Sequence, residues 1–108
     1  MSTTWMVDLR HFLTPEGAFV PDLPGPARRL AEYCASLIVD ATHDPDAPPA
    51  VRCRRRPRHR RCTGIVVALP GIDEHDPVYW NCPVCNDTGY ISGWQDTLWN
   101  GFRATASA

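Results

Sequence analysis

Four cysteines in the second half of the chain, Cys53 and Cys62 followed by Cys82-Pro83-Val84-Cys85, are the residues best suited by type and spacing to do chemistry. Two pairs of thiolates can surround one tetrahedral zinc ion, because a tight turn aims two sulfurs at a point and a second segment completes the tetrahedron. The run from Cys82 to Cys85 is such a turn. Pro83 fixes one dihedral, and the residue after the second cysteine usually needs permissive backbone geometry, which Asn86 tolerates and Gly89 supports shortly afterwards. The stretch between Cys62 and Cys82 is long enough for a hairpin to go out and return, which is the layout of a zinc ribbon. Cys53 and Cys62 are spaced far wider than a standard knuckle, so the loop between them must bulge away from the metal. That width leaves alternatives open: His59 with Cys62, Cys82 and Cys85, leaving Cys53 free, or no metal at all. Iron fits less well, since the spacing matches no ferredoxin-type run.

The second concentration of chemistry is cationic. Arg52, Arg54, Arg55, Arg56, Arg58, Arg60 and Arg61 place seven of the eleven cationic residues within residues 52–61, so this stretch is formally +7 and the remainder −8, for a net charge of −1. A near-neutral total therefore hides a concentrated basic segment. The chain has no lysine. Arginine-rich codon usage in a high-GC genome explains that absence without function, and selection for planar, bidentate phosphate contacts explains it with one. An arginine loop pinned at both ends by one metal would lose less entropy on binding a polyanion than a free tail.

Three classes of function compete. In the first, a nucleic-acid-binding zinc ribbon, the seven arginines contact phosphates while Tyr79, Trp80 or Tyr90 offer stacking surfaces. Against it stands the reading in which these aromatics pack the core and the arginines pair with Asp73, Glu74, Asp76 and other acids. In the second, a protein-interaction or adaptor module, exposed Trp94 and Trp99 serve as anchors. The third, an enzyme, is weakest. Asp73-Glu74-His75-Asp76 has acid-base residue types but falls in a hairpin turn, and a CxxC between strands lacks the helix-start position of a thiol oxidoreductase. Binding rather than catalysis is expected, with nucleic acid slightly ahead of protein as partner.

The chain resembles an uncharacterised family of small bacterial zinc-ribbon-like proteins. The resemblance covers Asp8-Leu9-Arg10-His11-Phe12-Leu13, Leu23-Pro24-Gly25-Pro26-Ala27 with Leu30-Ala31, the arginine-filled loop, and Trp80-Asn81-Cys82-Pro83-Val84-Cys85. Its most specific part is Gly89-Tyr90-Ile91-Ser92-Gly93-Trp94-Gln95-Asp96-Thr97-Leu98-Trp99. The family has glycine where this chain has Asn86 and Asp96. Its cysteine pattern falls on Cys53, Cys62, Cys82 and Cys85, which implies the all-cysteine ligand set; it implies no activity.

The elements that must position these residues are legible in outline. At 108 residues the chain is expected to form one small α+β domain. Residues 1–43 read as an N-terminal arm and one amphipathic helix, 44–51 as a Pro/Asp/Ala linker, 52–103 as the zinc-ribbon-like region, and 104–108 as a frayed tail. In the arm, Thr14-Pro15-Glu16-Gly17 marks a turn before an extended stretch over the core. Pro26 opens the helix, and Ala27, Leu30, Ala31, Cys34, Leu37, Ile38 and Ala41 form its apolar stripe. Cys34 on that stripe is expected to behave as a small hydrophobe. Residues 64–69 and 77–82 predict an antiparallel hairpin around an acidic loop, residues 89–94 a third strand, and residues 94–99 a cover over one end of the sheet. The opening residues lack a signal sequence and no apolar run reaches membrane-spanning length, so a soluble cytoplasmic protein is expected, where a CxxC serves metal or redox chemistry more often than a disulfide.

Overall fold

The computed structural model describes residues 4–43, 48–71, 76–95 and 97–102. One helix lies against one face of a five-stranded mixed sheet, a small α+β arrangement. The helix, α1, spans Gly25–Thr42, with Pro26 in its first turn, where a missing N–H leaves no bond unmade. Its stripe is buried as the spacing predicts, with Leu37, Ile38 and Cys34 fully enclosed and Arg29, Glu32 and Ser36 exposed.

Strands β1 (Thr4–Asp8), β2 (Val51–Arg52), β3 (Ile65–Leu69), β4 (Val78–Asn81) and β5 (Thr88–Ser92) are ordered β1-β5-β4-β3-β2 across the sheet. The middle three form the predicted antiparallel hairpin and third strand, with Ala68 opposite Trp80 and Trp80 opposite Gly89. Two strands go beyond the predicted three. β1 pairs in parallel with β5, and the two-residue β2 pairs with β3. The N-terminal stretch read as an arm thus contributes a strand, because Trp5 and Val7 alternate with Met6 and have a half-buried edge to join. β2 begins at Val51, inside the stretch read as linker.

Alternation along β3, β4 and β5 sends Val66, Ala68, Val78, Trp80 and Ile91 toward α1, where they join Leu9, Leu37 and Ile38 in the core. Burying each of the larger side chains contributes about 1.5–3 kcal/mol. Gly89 permits the central contact: a Cβ there would lie 2.2 Å from Cη2 of Trp80, so this ring packs directly on bare backbone. The core runs without a break into Cys53, Cys62 and Cys82.

The far end of the sheet is closed by residues 94–102, as the sequence predicts. Trp94 donates its indole N–H to the Asp76 carbonyl at 2.9 Å, and the Gly101 N–H donates to Thr42 Oγ1 at 2.9 Å, tying this segment to the last turn of α1. Phe19 stacks on Trp99 with centroids 4.9 Å apart. Trp94 is only 4% exposed and Trp99 half-buried, which corrects their reading as exposed anchors: they fasten the end of the chain to its own core. The tail 104–108, the middle of the acidic loop and Asp96 lie outside the described residues.

Candidate metal centre and arginine loop

β2 delivers Cys53, the residue before β3's lead-in is Cys62, and the β4–β5 turn carries Cys82 and Cys85. Cys53 N–H donates to the Gly64 carbonyl at 3.0 Å, which locks the two ends of the arginine loop together. The four sulfurs all lie within 4.8 Å of one another, with Cys53 to Cys85 at 3.7 Å and Cys62 to Cys82 at 3.6 Å. A tetrahedron of sulfurs ~2.3 Å from a zinc ion has edges of ~3.8 Å; these two pairs match that edge, and the four sulfurs are close enough together for one metal ion. Cys53, Cys62 and Cys82 are buried and Cys85 is partly exposed.

The turn after Cys82 is built as the residue types require. The Asn86 N–H donates to the Cys82 carbonyl and the Cys82 N–H to the Asp87 carbonyl, both at 2.8 Å, with Asn86 at φ +62°. The N–H groups of Arg55 and Gly64 point at the sulfurs of Cys53 and Cys62, at 3.5 and 3.4 Å. Gly64 is close-packed: a Cβ there would lie 2.4 Å from Cys82 Sγ. Burial raises the Cys53 and Cys85 thiols above their ordinary range. Burial also works against ionisation of Cys82, but backbone N–H groups of Cys85 and Val84 and the neighbouring thiols outweigh it and bring Cys82 below that range. A divalent cation held by all four sulfurs would favour the thiolate forms together.

His59 is exposed and stands outside the cluster, while Cys53 sits within it; the geometry favours the all-cysteine set over the mixed one. Cys34 is fully buried in the core and apart from the cluster, and burial pushes its thiol up to about 12.

The seven arginines divide by environment. Arg55 is half-buried and its Nε lies 3.6 Å from Asp87 Oδ1, with its guanidinium over the Trp5 ring at 5.4 Å. Arg54 lies over the Tyr33 ring at 5.6 Å. Arg52, Arg54, Arg56, Arg58, Arg60 and Arg61 are exposed, and none of them forms an ion pair among the described residues. Asp73 and Glu74, offered as partners by the sequence, lie outside those residues. The Cys62 N–H closes the loop by donating to the Arg55 carbonyl at 2.9 Å, and Arg58 and His59 at its tip are both left-handed, at φ +54° and +65°.

Of the candidate stacking residues, Trp80 is 1% exposed and serves the core, which removes it from the list. Tyr79 and Tyr90 lie side by side on the sheet face away from α1, centroids 5.3 Å apart. The sequence reading missed Asp87. This buried carboxylate accepts from the indole N–H groups of Trp5 at 3.1 Å and Trp80 at 3.4 Å as well as facing Arg55, so it joins β1 and β4 to the loop. Its only sequence signal is its place two residues beyond Cys85.

Set against family models, curated proteins and solved structures, the chain finds no match in any of the three comparisons. Among the described residues, no helix is long and apolar enough to cross a membrane.

Proposed function

We propose that this chain is a non-catalytic zinc protein whose four-thiolate site holds an arginine loop in position to bind the phosphates of nucleic acid, in a reducing cytoplasm. The observation that carries the reading is that six clustered arginines are exposed without an ion pair among the described residues, on a loop whose two ends meet at the cysteines. The cysteine pattern of the bacterial proteins the chain resembles supports the all-cysteine ligand set. Guanidinium groups suit this task because each presents a planar fork of donors to phosphate oxygens. The test is binding to DNA and RNA across a salt series. Affinity should fall log-linearly with salt, and replacing the exposed Arg54, Arg56 and Arg58 together by alanine should flatten the slope by roughly 2 to 3 units with zinc content unchanged. Unchanged affinity in the triple variant would place the contact elsewhere.

A second reading rests on a different surface. Register aligns Met6, Tyr90, Tyr79 and Leu69 in a row across the sheet face away from α1, and Met6 is 80% exposed and Leu69 54%. Apolar rows of this kind suit protein partners, and an adaptor using this face would bind with little dependence on salt.

A further inference from the structure

Beside the metal centre, the N-terminal half of α1, β1 and the arginine loop enclose a cavity of about 320 Å³ that none of the readings above uses. Its walls are Trp5, Phe12, Leu30, Tyr33 and Trp80, and its polar groups are Asp87, Arg54 and Arg55. This volume is near the lower end for ligand pockets, which run from roughly 300 to 1,000 Å³, and suits a body the size of one or two fused rings. Aromatic walls favour a flat, polarisable occupant. The polar groups favour an anionic one: Asp87 is already engaged by two indole N–H groups and Arg55, whereas the Arg54 guanidinium lies over Tyr33 without an ion pair among the described residues. The Tyr33 hydroxyl, finally, is buried and has no hydrogen-bond partner among the described residues. That hydroxyl has essentially no accessible surface and is closed off from the cavity, so recognition there rests on the aromatic ring faces and the Arg54 guanidinium.

Resting on the nucleic-acid reading, we propose that this cavity receives one unstacked base of a single strand. The base lies among Trp5, Phe12 and Tyr33, and the adjoining phosphate meets Arg54. Stacking on aromatic side chains is tolerant of base identity, so the pocket selects single strands over duplexes rather than one sequence.

The test compares three probes at one salt concentration: a ten-nucleotide single-stranded DNA of mixed sequence, the duplex of that sequence, and inorganic polyphosphate of matched charge. Binding is followed by anisotropy of the labelled DNAs, by competition for polyphosphate, and by quenching of tryptophan fluorescence, since Trp5 and Trp80 line the cavity. The single strand should bind at least about tenfold more tightly than the other two and alone should quench. Ala27→Phe, which fills the cavity from α1, should abolish that preference while zinc content and duplex binding stay as they were. Phe12→Ala, which removes an aromatic wall away from the arginines, should weaken the single strand severalfold and leave polyphosphate unaffected. Equal affinity for all three probes, or a preference that survives both substitutions, overturns the pocket while leaving the arginine reading standing. Failure of every probe to bind removes both. Quenching by indole-3-acetate that Ala27→Phe abolishes, without any single-strand preference, would assign the cavity to small aromatic acids and overturn the proposal as well.

Discussion

The two ends of the sheet are closed by different means, and the backbone records the difference. At the far end, hydrogen bonds and stacking through Trp94, Thr42 and Trp99 do the work, and the left-handed residues nearby, Gly17 and Gly93, are glycines. At the metal end the left-handed residues are Arg58, His59 and Asn86. Left-handed backbone costs a residue with a side chain about 1–2 kcal/mol, less for asparagine, whereas a structural zinc site contributes on the order of 10 kcal/mol. A zinc ion held by the four-sulfur cluster would be a staple large enough to carry a loop with poor local geometry and with charge that has no ion pair among the described residues. An end fastened by ordinary hydrogen bonds must choose residues that suit its turns.

The sharpest way to break the contrast is Cys82→Ser, which removes a proposed zinc ligand packed against Gly64. Zinc should be lost and, because the thiol cluster is continuous with the core, unfolding should spread through the sheet to α1; metal analysis and circular dichroism check both. A metal-free Cys82→Ser protein that kept native helix and melting behaviour would show that the metal end is held like the other. Next in size is Asp87→Ala, which strands two indole N–H groups and lets Arg55 loose. A loss of about 2–3 kcal/mol is expected in urea titration of the zinc-loaded protein, and because its carbonyl still serves Cys82, zinc should remain. At the opposite end, Thr42→Val deletes the hydroxyl that bonds the Ile38 carbonyl at 2.7 Å and accepts from Gly101. Stability should fall by about 1 kcal/mol, with residues 94–102 exchanging amide hydrogens faster and the metal end untouched.

The smallest effect concerns Asp8, at the same end as Gly93. A hydrogen bond from the Arg10 side chain, at 2.7 Å, outweighs the opposing effect of burial and lowers its carboxyl from 3.8 to about 2. A lowered folded-state value means that the pair stabilises fully above the unfolded value near 3.8 and loses that contribution as pH falls toward 2. The Arg10 side chain is 72% exposed, so solvent screens most of this. Asp8→Asn should lower stability slightly at neutral pH, where the pair contributes, and the gap between variant and parent should narrow as pH falls toward 2, as comparison of urea midpoints at pH 7 and pH 3 will show.

Local pattern made much of this molecule legible. Helical spacing placed α1 and buried Cys34, β-branched runs placed β3, and the turn chemistry of Cys82 to Asn86 called for permissive backbone, which Asn86 supplies in a left-handed conformation. Trp80 could have been assigned inward by the same logic, since it lies two residues before buried Cys82 and successive side chains alternate. What stayed hidden depends on long-range pairing. Nothing local to Thr4–Asp8 says that it will lie parallel to Thr88–Ser92, and nothing local to Asp87 says that it will meet indoles from Trp5 and Trp80. The aromatic cavity follows from those same pairings, and so it too was invisible in the sequence.

The hydrogen bond from Cys62 to the Arg55 carbonyl has an evolutionary consequence. It fixes the two feet of the loop side by side, so that residues 56–61 form an insertion between anchored points rather than a strut of the fold. Doubling the length of such a segment costs only about 0.6 kcal/mol in closure entropy. The position is a natural socket for grafting, where mutation can lengthen, shorten or rewrite the segment while the scaffold beneath is inherited unchanged.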